Sequence, residues 1–406
     1  MTGPGPPLLL MLSAAHPATD VRIVAKEGAA LAAAGFRLRH LAPSSAPALA
    51  GAVPESLHGV ALETFAGPRR WAGRLCGIPA LARRAAALRP AVIHAHEPDS
   101  WLAALLAARR CGARVVLDVH EHYPSRLDPA LPAALRPLLA PLARAAMRLA
   151  CRAMAARADA VVLAKDGLAA DFAGARRCIA VRNYANPVQV TPRRHAAGPP
   201  ILLHLGALGA SRGALLLPAL LARLPGARLR LVGRFTDGSE TEFWSRARAL
   251  GVAGRIEALG WMEREAALRV AAACDIGLVL FQPGLENHRL ALPHKLFDCM
   301  LAGLPVIVPD FAEEVRAVVR EADCGLVVDV AEVPRLAEAV RALADPALRA
   351  RLGARGRRAA LGRFGWAAEA ARLVRLYHGL LAAPAAGASP AGPARPAAGA
   401  FRTSQR

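Results

Sequence analysis

Short apolar runs alternate with longer amphipathic segments along most of the chain, and each kind of run predicts a different element. Residues 8–13 are apolar and strand-like, and an amphipathic segment, a glycine and a second apolar run follow them. Residues 91–126, and the segment that begins at residue 201, repeat this order of strand, loop, helix and strand. Repeated βαβ units predict an α/β protein with doubly wound, mostly parallel sheets.

The chain has 406 residues, which is enough for two domains that each bury a core. A Pro- and Gly-rich stretch, residues 189–199, interrupts the pattern and is interpreted as a linker. We predict two Rossmann-like domains, over residues 1–188 and 200–363. A final amphipathic helix is predicted over residues 364–381, and the Ala/Pro/Gly/Ser-rich tail, residues 382–406, is predicted to be disordered.

The formal net charge of +21 favours anionic membrane surfaces and polyanions. No zinc-finger spacing, RNA-binding aromatic signature or basic block indicates nucleic acid, so a membrane surface or anionic substrates are favoured. The seven cysteines are scattered without a C-x-x-C pair, which predicts reduced thiols in a cytosolic protein. No run reaches the length of a membrane span. We predict a cytoplasmic protein, with peripheral binding to the inner face of the plasma membrane as a possibility.

An Ala/Leu/Arg segment within residues 126–160 has arginines near helical spacing, opposite Leu and Met. A solvated helix face is one interpretation of this pattern. Contact with an anionic lipid surface is the alternative, and both stay open. The arginines are Arg136, Arg144, Arg148, Arg152 and Arg157.

Residues 281–310 combine a loop, a helix and a strand in one continuous stretch. Pro293 fits the first turn of the helix, and Gly303 fits its end. Lys295 lies in the first turn, where free N–H groups and the helix dipole favour phosphate. Asp298 shares a face with Lys295 and could accept hydrogen bonds from ribose hydroxyls. The pair suits a nucleoside diphosphate, and an ordinary surface ion pair is the alternative.

The segment ENHRLALPHKLFDCMLAGLPVI resembles the nucleotide-sugar loop and helix of retaining glycosyltransferases of family 4. Three positions depart from the family pattern: Asp298 replaces Glu, His294 replaces Asn, and Leu290 stands where an acid would complete a Glu-x7-Glu pair. The resemblance implies donor binding by Glu286, Asn287, Lys295, Leu296 and Asp298. The matching positions are Asn287, Pro293, Lys295, Leu296, Phe297, Met300, Gly303, Pro305, Val306 and Ile307.

A Gly-rich turn, LGALGASRG, resembles the family's G-x-x-x-x-x-[KR]-G turn. In this resemblance Arg212 clamps the pyrophosphate, while Gly206 and Gly213 let the backbone approach it. A later G-W turn resembles the part of the family that lies near the nucleobase. It places Ile256 and Trp261 at the donor, although a packing role for Trp261 is the alternative.

The N-terminal half carries H-P-x-x-D-x-R and H-A-H-x-P-D-x-L patterns that resemble the same branch of the family. They place His16, Arg22 and His96 on the acceptor side. The wider family's Gly-rich phosphate loop is absent there, so Arg22 is expected to supply charge instead, or to lie solvated on the first helix. A metal bound by His94, His96, Glu97 and Asp99 is the less favoured interpretation of the second pattern.

His120 and Glu121 end a predicted strand, where ligands of open parallel sheets gather. By resemblance, His120 reaches the transferred sugar or the acceptor, and Glu121 lies on the acceptor side. A structural histidine in a strand-end turn is the alternative. The predicted catalytic residues are therefore His120, Arg212 and Lys295.

The resemblance covers residues 8–381 and implies the GT-B architecture, in which two Rossmann-like domains face a cleft. The donor nucleotide would bind the C-terminal domain, the acceptor would bind the N-terminal domain, and the final helix would cross back to the N-terminal domain. The implied reaction transfers a hexosyl group, with retention, from a UDP- or GDP-sugar to a hydroxyl of a glycan or lipid-linked acceptor. Synthesis of cell-envelope polysaccharide or glycolipid is the expected setting.

The sequence has no convincing D-x-D motif, so we expect neither a metal nor another cofactor. Arg212, Lys295 and helix N-termini would stabilise the phosphate leaving group. Two alternatives share the fold. One is a sugar-nucleotide epimerase, and the other is a non-catalytic GT-B subunit that binds nucleotide as a scaffold.

Overall fold

The computed structural model describes residues 5–44, 53–67, 71–132 and 134–382. It contains two separate sheets, each built almost wholly from parallel strands, with helices in the connections. The α/β architecture of two Rossmann-like domains, predicted from the alternation of apolar runs, is confirmed. The predicted tail, residues 382–406, lies outside the described residues except for its first residue.

The N-terminal sheet has the strand order β3-β4-β2-β1-β5-β6-β7-β8, and only the β3–β4 pair is antiparallel among its described strands. Its strands are β1 (Leu8–Leu12), β2 (Arg37–Pro43), β3 (Ser56–Leu57), β4 (Val60–Phe65), β5 (Val92–Ala95), β6 (Arg114–Val119), β7 (Ala160–Leu163) and β8 (Cys178–Ala180). The helices of this half are α1 (Ala29–Ala33), α2 (Trp71–Ala87), α3 (Pro98–Cys111) and α4 (Arg136–Ala155).

The C-terminal sheet has the order β11-β10-β9-β12-β13-β14, with parallel pairing throughout its described strands. Its strands are β9 (Ile201–Leu205), β10 (Arg228–Val232), β11 (Ile256–Ala258), β12 (Ile276–Leu278), β13 (Val306–Pro309) and β14 (Gly325–Val328). Its helices are α5 (Leu217–Ala222), α6 (Glu240–Ala249), α7 (Arg264–Ala272), α8 (Glu286–Arg289), α9 (His294–Leu301), α10 (Glu313–Ala322), α11 (Val333–Ala342) and α12 (Pro346–Leu361).

The first connection, after β1, is wider than the ordinary helix expected there, because residues Val21–Gly28 form a π-helix. Asp20 caps it by accepting hydrogen bonds from two backbone N–H groups. Residues five apart share a face in such a helix, so Arg22 and Glu27 both point into the domain. Gly28 ends the segment against β4, where a Cβ would lie 2.6 Å from Val60 Cγ2.

The last helix, α13 (Trp366–Ala382), packs on the N-terminal sheet, although it follows the C-terminal one in sequence. Leu373, Tyr377 and Leu380 are buried among the side chains of β1 and the π-helix. The hydroxyl of Tyr377 lies 2.6 Å from Nδ1 of His94 on β5. Glu369 of the same helix accepts hydrogen bonds from the backbone N–H and the side chain of Arg182, so the chain returns to its starting domain through an apolar face and several polar contacts.

Lys26 connects the end of the N-terminal domain with the start of helix α9 in the C-terminal domain. Nζ of Lys26, on the π-helix, donates to Tyr184 O at 2.6 Å and to Asn183 Oδ1 at 3.1 Å. It also lies 3.2 Å from Nδ1 of His294, the residue that stands where the family pattern has Asn. His294 opens α9, so the helix that carries Lys295 is attached at its start to the N-terminal domain.

Candidate active site

The carboxyl ends of the parallel strands in the two sheets line one cleft. Arg212 follows β9, and residues 282–292 follow β12, while His16, His96 and His120 follow β1, β5 and β6. Asn287 on α8 reaches across the cleft, because its Oδ1 accepts a hydrogen bond from the backbone N–H of His122 at 2.7 Å. The predicted donor and acceptor residues are therefore close to each other in space.

Two cations converge in the C-terminal half of the cleft. Arg212 Cζ and Lys295 Nζ lie 5.8 and 5.7 Å from the ring centroid of Phe281, so both cations face one aromatic ring. Gly206, at φ +90°, lies beside the Lys295 side chain: a Cβ built on this glycine would be 3.5 Å from Lys295 Cε, an ordinary contact, so the positive φ is what favours glycine here. Gly213, at φ +79°, approaches Leu280 O so closely that a Cβ would lie 2.5 Å away.

Neither of these cations has a counter-ion in the part of the chain that the structure describes. Within the described residues, no carboxylate lies within 4.0 Å of Arg212 or Lys295, and neither side chain donates a hydrogen bond. Burial, followed by repulsion from Arg212, lowers the pKa of Lys295 to about 7. Burial also lowers the pKa of Arg212. A half-buried arginine and a buried lysine, with no carboxylate partner among the described residues, are suited to bind an anion such as a diphosphate.

Asp298 lies on α9 one turn beyond Lys295, as predicted, but it already has a partner. Nε and Nη2 of Arg264 donate to its Oδ1 at 3.0 and 2.6 Å, so Oδ2 is left to accept from another donor. Burial raises the pKa of the Asp298 carboxyl, although the charge of Arg264 opposes that shift. Arg264 is a site residue that motif matching missed, because the G-W turn pattern before α7 assigns no role to the first residue of that helix.

The other predicted donor residues have different environments. Glu286 forms an ion pair with its neighbour Arg289 at 2.5 Å. Leu296 is fully buried in the core, so only its backbone could reach a ligand. Trp261 is 59% exposed: its ring contacts the guanidinium of Arg234, whose Cζ lies 5.4 Å from the ring centroid, and much of the rest of the indole is open to solvent. Ile256 is the first residue of β11, so the structure places it away from the carboxyl edge that lines the cleft.

The N-terminal half of the cleft is lined by histidines held by carboxylates. His120 Nε2 lies 2.6 Å from Asp118 Oδ2, and the rings of His120 and His16 are 4.6 Å apart. Burial opposes charge on His16, but the hydrogen bond with Asp20 and the charges of Glu97 and Asp20 outweigh it and raise its pKa to about 9. His16 is therefore an imidazolium at neutral pH.

Glu97 shapes this half of the cleft through the backbone. Its two oxygens accept from the N–H groups of Ala14, Ala15 and His16 at 2.8–3.1 Å, so the loop after β1 is fixed to the turn after β5. Glu121, by contrast, is half exposed and forms an ion pair with Arg126.

Five charged or titratable side chains meet behind His120, inside the N-terminal domain. Arg22 binds the Asp118 carboxylate with Nε and Nη2 at 3.2 and 2.9 Å, and its Nη2 is 2.8 Å from Glu27 Oε1. His96 Nδ1 also lies 3.1 Å from Asp118. Arg22 is only 4% exposed. It is therefore neither a solvated residue nor a cation facing the donor phosphates, the two roles considered from the sequence.

This buried group resembles a metal-binding set in its geometry, since ligand atoms of Glu27, His94, His96 and Asp118 lie within 4.8 Å of one another. The guanidinium of Arg22 already provides the positive charge between the two carboxylates, so we assign no metal there. The set differs from the one considered from the sequence. Glu97 binds backbone amides, and Asp99 forms an ion pair with Arg74 at 2.6 Å.

Burial sets the protonation of the group. It raises the pKa of Glu27 well above its ordinary value, despite the nearby charge of Arg22. It lowers the pKa of His94 to about 4 and that of His96 well below its usual range. Burial also disfavours the charge of Asp118, but Arg22 and His120 keep its pKa well below the usual value. Arg22 and Asp118 therefore form the charged pair of this group, and the raised pKa favours the protonated form of Glu27.

Two family models match the chain and divide it in the same way as the sheets. Residues 21–182 match the model described as Glycosyltransferase Family 4, and residues 212–375 match the model described as Glycosyl transferase-like. A comparison with curated proteins finds no match. The N-terminal part of the chain therefore matches family 4, the C-terminal part matches a glycosyl transferase-like domain, and the chain is a glycosyltransferase.

Solved structures share the two-domain GT-B fold over almost their whole length. Sucrose-phosphate synthase from Thermosynechococcus elongatus is 20% identical, with a TM-score of 0.71, over 93% of this chain and 99% of that one. HepE from Anabaena, in complex with UDP, is 18% identical with a TM-score of 0.66, over 91% and 99%. The lipopolysaccharide outer core galactosyltransferase WaaB is 12% identical with a TM-score of 0.60, over 92% and 99%.

The lowered pKa of Lys295 makes the binding of a diphosphate depend on pH. A diphosphate favours the ammonium form, so binding above pH 7 requires proton uptake, and UDP affinity should fall by up to about 10-fold per pH unit. Calorimetry in two buffers of different ionisation enthalpy measures both the affinity and the proton uptake. Lys295→Arg, whose charge does not titrate, should remove this pH dependence. Equal proton uptake in both proteins would contradict this assignment.

The raised pKa of Glu27 should make the free energy of unfolding depend on pH. Above the ordinary carboxyl pKa the unfolded chain loses this proton and the folded chain keeps it. The wild-type free energy of unfolding should therefore fall by about 1.4 kcal/mol per pH unit from this group. Glu27→Gln lacks the titration, so its stability relative to wild type should rise with pH. Urea denaturation at several pH values tests this, and a pH-independent difference would show that Glu27 is ionised when folded.

Proposed function

We propose that this protein is a retaining hexosyltransferase. It transfers a hexosyl group from a UDP- or GDP-sugar to a hydroxyl of a glycan or lipid-linked acceptor, in the synthesis of cell-envelope polysaccharide or glycolipid. The observation that carries this proposal is a pair of cations, the half-buried Arg212 after β9 and the buried Lys295 on α9, which have no carboxylate partner among the described residues. A nucleoside diphosphate leaving group is the anion that such a pair suits.

The geometry supports a division of roles between the two halves of the cleft. Arg212 and Lys295 would stabilise the charge that develops on the leaving diphosphate. Asp298 would bind the ribose through Oδ2, the oxygen that Arg264 leaves free. His120, oriented by its 2.6 Å contact with Asp118, would face the transferred sugar or the acceptor hydroxyl. The imidazolium of His16 would lie beside it.

Retention and metal independence follow from the resemblance and from this charge pattern. In the front-face mechanism generally favoured for the family, the leaving phosphate helps to deprotonate the acceptor, so no separate carboxylate nucleophile is needed. Leu290 is 3% exposed and packs with the apolar core of the N-terminal domain, which fits a site without an acid at that position. The two cations supply the charge that a divalent ion supplies in other transferases.

UDP-sugars are the first donors to test. The structures of HepE that resemble this chain were obtained with UDP, with UDP and glucose, and with UDP-glucose. WaaB is described as a galactosyltransferase of the lipopolysaccharide outer core. These relatives favour UDP over GDP, and a glycan of the cell envelope over other acceptors.

We expect UDP-glucose or UDP-galactose to raise the melting temperature, with and without EDTA. A ligand at 100 times its Kd adds about 2.7 kcal/mol to the free energy of unfolding. Lys295→Met should lose most of this stabilisation, because a cation of the diphosphate site is removed. Arg335→Met, which removes an exposed cation of α11, is the matched control. The absence of a shift with any UDP- or GDP-sugar would rule out the donor site, and a shift that requires magnesium would rule out metal independence.

Peripheral contact with the membrane is a further part of this proposal, and helix α4 supports it. No helix within the described ranges is long and apolar enough to cross a bilayer. On α4, however, leucines project into solvent together with arginines, and the helix carries no acidic residue. The outward leucines are Leu138, Leu142 and Leu149, which are 70, 67 and 70% exposed, with Leu135 just before the helix at 51%.

Spacings of four and seven residues place these leucines on one stripe of the helix. The sequence pattern left a solvated arginine face and a lipid-binding face open. An apolar stripe flanked by arginines favours the second, because it fits the boundary between anionic head groups and acyl chains. The protein would then work on the inner face of the plasma membrane, where a lipid-linked acceptor is available.

Replacement of Leu138, Leu142 and Leu149 by Ser should weaken binding to vesicles that contain anionic lipid, because the buried apolar area is lost. The loss should be about 10-fold or more, since each leucine contributes on the order of 1 kcal/mol or more when buried. Vesicle co-sedimentation measures this. Leu250→Ser, at an exposed leucine after α6, is the control. If the triple variant and the control bind vesicles equally, α4 is not the contact.

A further inference from the structure

Lys165 is a buried cation that the site described above does not use. It follows β7 and is only 6% exposed. Within the described ranges, its ammonium has no hydrogen bond and no carboxylate within 4.0 Å. Lysine is rarely buried without a partner, because the ammonium loses its hydration. This cost suggests that the partner is a ligand.

Strand register places Lys165 at the cleft. In the parallel pair of β6 and β7 the register ends with Val119 level with Leu163, and Glu121 and Lys165 each come two residues beyond that end. Neighbouring strands are about 4.8 Å apart, and the carboxyl ends of parallel strands form one edge of the sheet. Lys165 therefore lies on the same edge as His120 and Glu121, one strand further along.

The C-terminal domain closes over this position from the other side. Two residues after Lys165, the N–H of Gly167 donates to Glu314 Oε1 of α10 at 2.8 Å. Leu290, in the loop between α8 and α9, packs so closely there that a Cβ on Gly167 would lie 2.7 Å from its Cδ2. Lys165 thus lies where the two domains meet.

The electrostatics of the cleft connect Lys165 with the donor site. Burial lowers the pKa of His288 on α8, and three cations, Arg212, Lys295 and Lys165, lower it further. Burial also lowers the pKa of Lys165 itself, and the charges of Glu121, Glu314 and Glu286 offset this only in part. The ammonium group of Lys165 and the two cations of the C-terminal domain therefore all lie near enough to His288 to lower its pKa.

We propose that Lys165 is the phosphate-binding cation of the N-terminal domain and contacts an anionic substrate group held between the domains. This inference rests on the proposed function. Arg22, the cation first considered for that role, is bound to Asp118 and Glu27. A phosphate in the cleft belongs either to the nucleotide donor or to a phosphorylated acceptor. Both present the same chemistry to Lys165, and affinity measurements can separate them.

The test compares wild type, Lys165→Met and the surface control Arg335→Met by calorimetry and thermal unfolding. Because an unpaired buried charge is removed, Lys165→Met should unfold at the same temperature as wild type or higher without ligand. Loss of one charge-assisted contact should lower the affinity for the phosphate-bearing ligand about 10-fold or more. Lys165→Arg should keep part of that affinity.

Two probes identify the source of the phosphate. A 10-fold loss of UDP affinity in Lys165→Met assigns the contact to the donor diphosphate. Unchanged UDP affinity, with loss of inorganic phosphate binding to the UDP-saturated protein, assigns it to the acceptor. If wild type binds no UDP, the proposed function fails, and the binding of inorganic pyrophosphate alone still tests Lys165. Equal binding of these probes by wild type and Lys165→Met would overturn the inference. A lower melting temperature of Lys165→Met with unchanged affinities would also overturn it, because Lys165 would then be a counter-ion for the surrounding glutamates.

Discussion

The buried carboxylate of Asp118 is the interaction on which the N-terminal half of the cleft depends. It is completely buried, and three side chains from different elements hold it: Arg22 from the π-helix, His96 from the turn after β5 and His120 from the turn after β6. A carboxylate in such a place costs several kcal/mol of lost hydration unless its partners remain. The contacts that compensate for the burial of Asp118 therefore also fix the position of His120, which faces the cleft.

Two groups in the cleft treat charge in opposite ways. Behind His120, Arg22 neutralises Asp118, and burial raises the pKa of Glu27, so this group holds one balanced pair, whereas Lys165 in the same domain has no such partner among the described residues. In the C-terminal domain, the half-buried Arg212 and the buried Lys295 have no carboxylate partner among the described residues. An ion pair stabilises the fold, whereas a cation without a carboxylate partner is tolerated where an anionic ligand supplies the negative charge.

Much of the donor half of the site could be predicted from the sequence, because the features that define it lie close together in the chain. Pro293 and Gly303 delimit helix α9, and the spacing from Lys295 to Asp298 puts both on one face. Arg264, the partner of Asp298, was missed, because that contact exists only once α7 packs beside α9. The role expected for Arg22 was wrong because its orientation also depends on tertiary packing. The sequence shows an arginine on the first helix, but the turn width of the π-helix and the position of Asp118 decide which way it points.

The sequence by itself determined the order of strands and helices, the division into two α/β domains, and the glycine turn and helix start that suit a phosphate. These features depend on periodicity and on the conformational limits of single residues, which neighbours in the chain already define. Only the tertiary structure decided which charges are neutralised, that the leucines of α4 face solvent, and that Lys165 lies buried beside the cleft. Burial and ion pairing depend on elements that are distant in sequence and meet only when the sheets and helices pack.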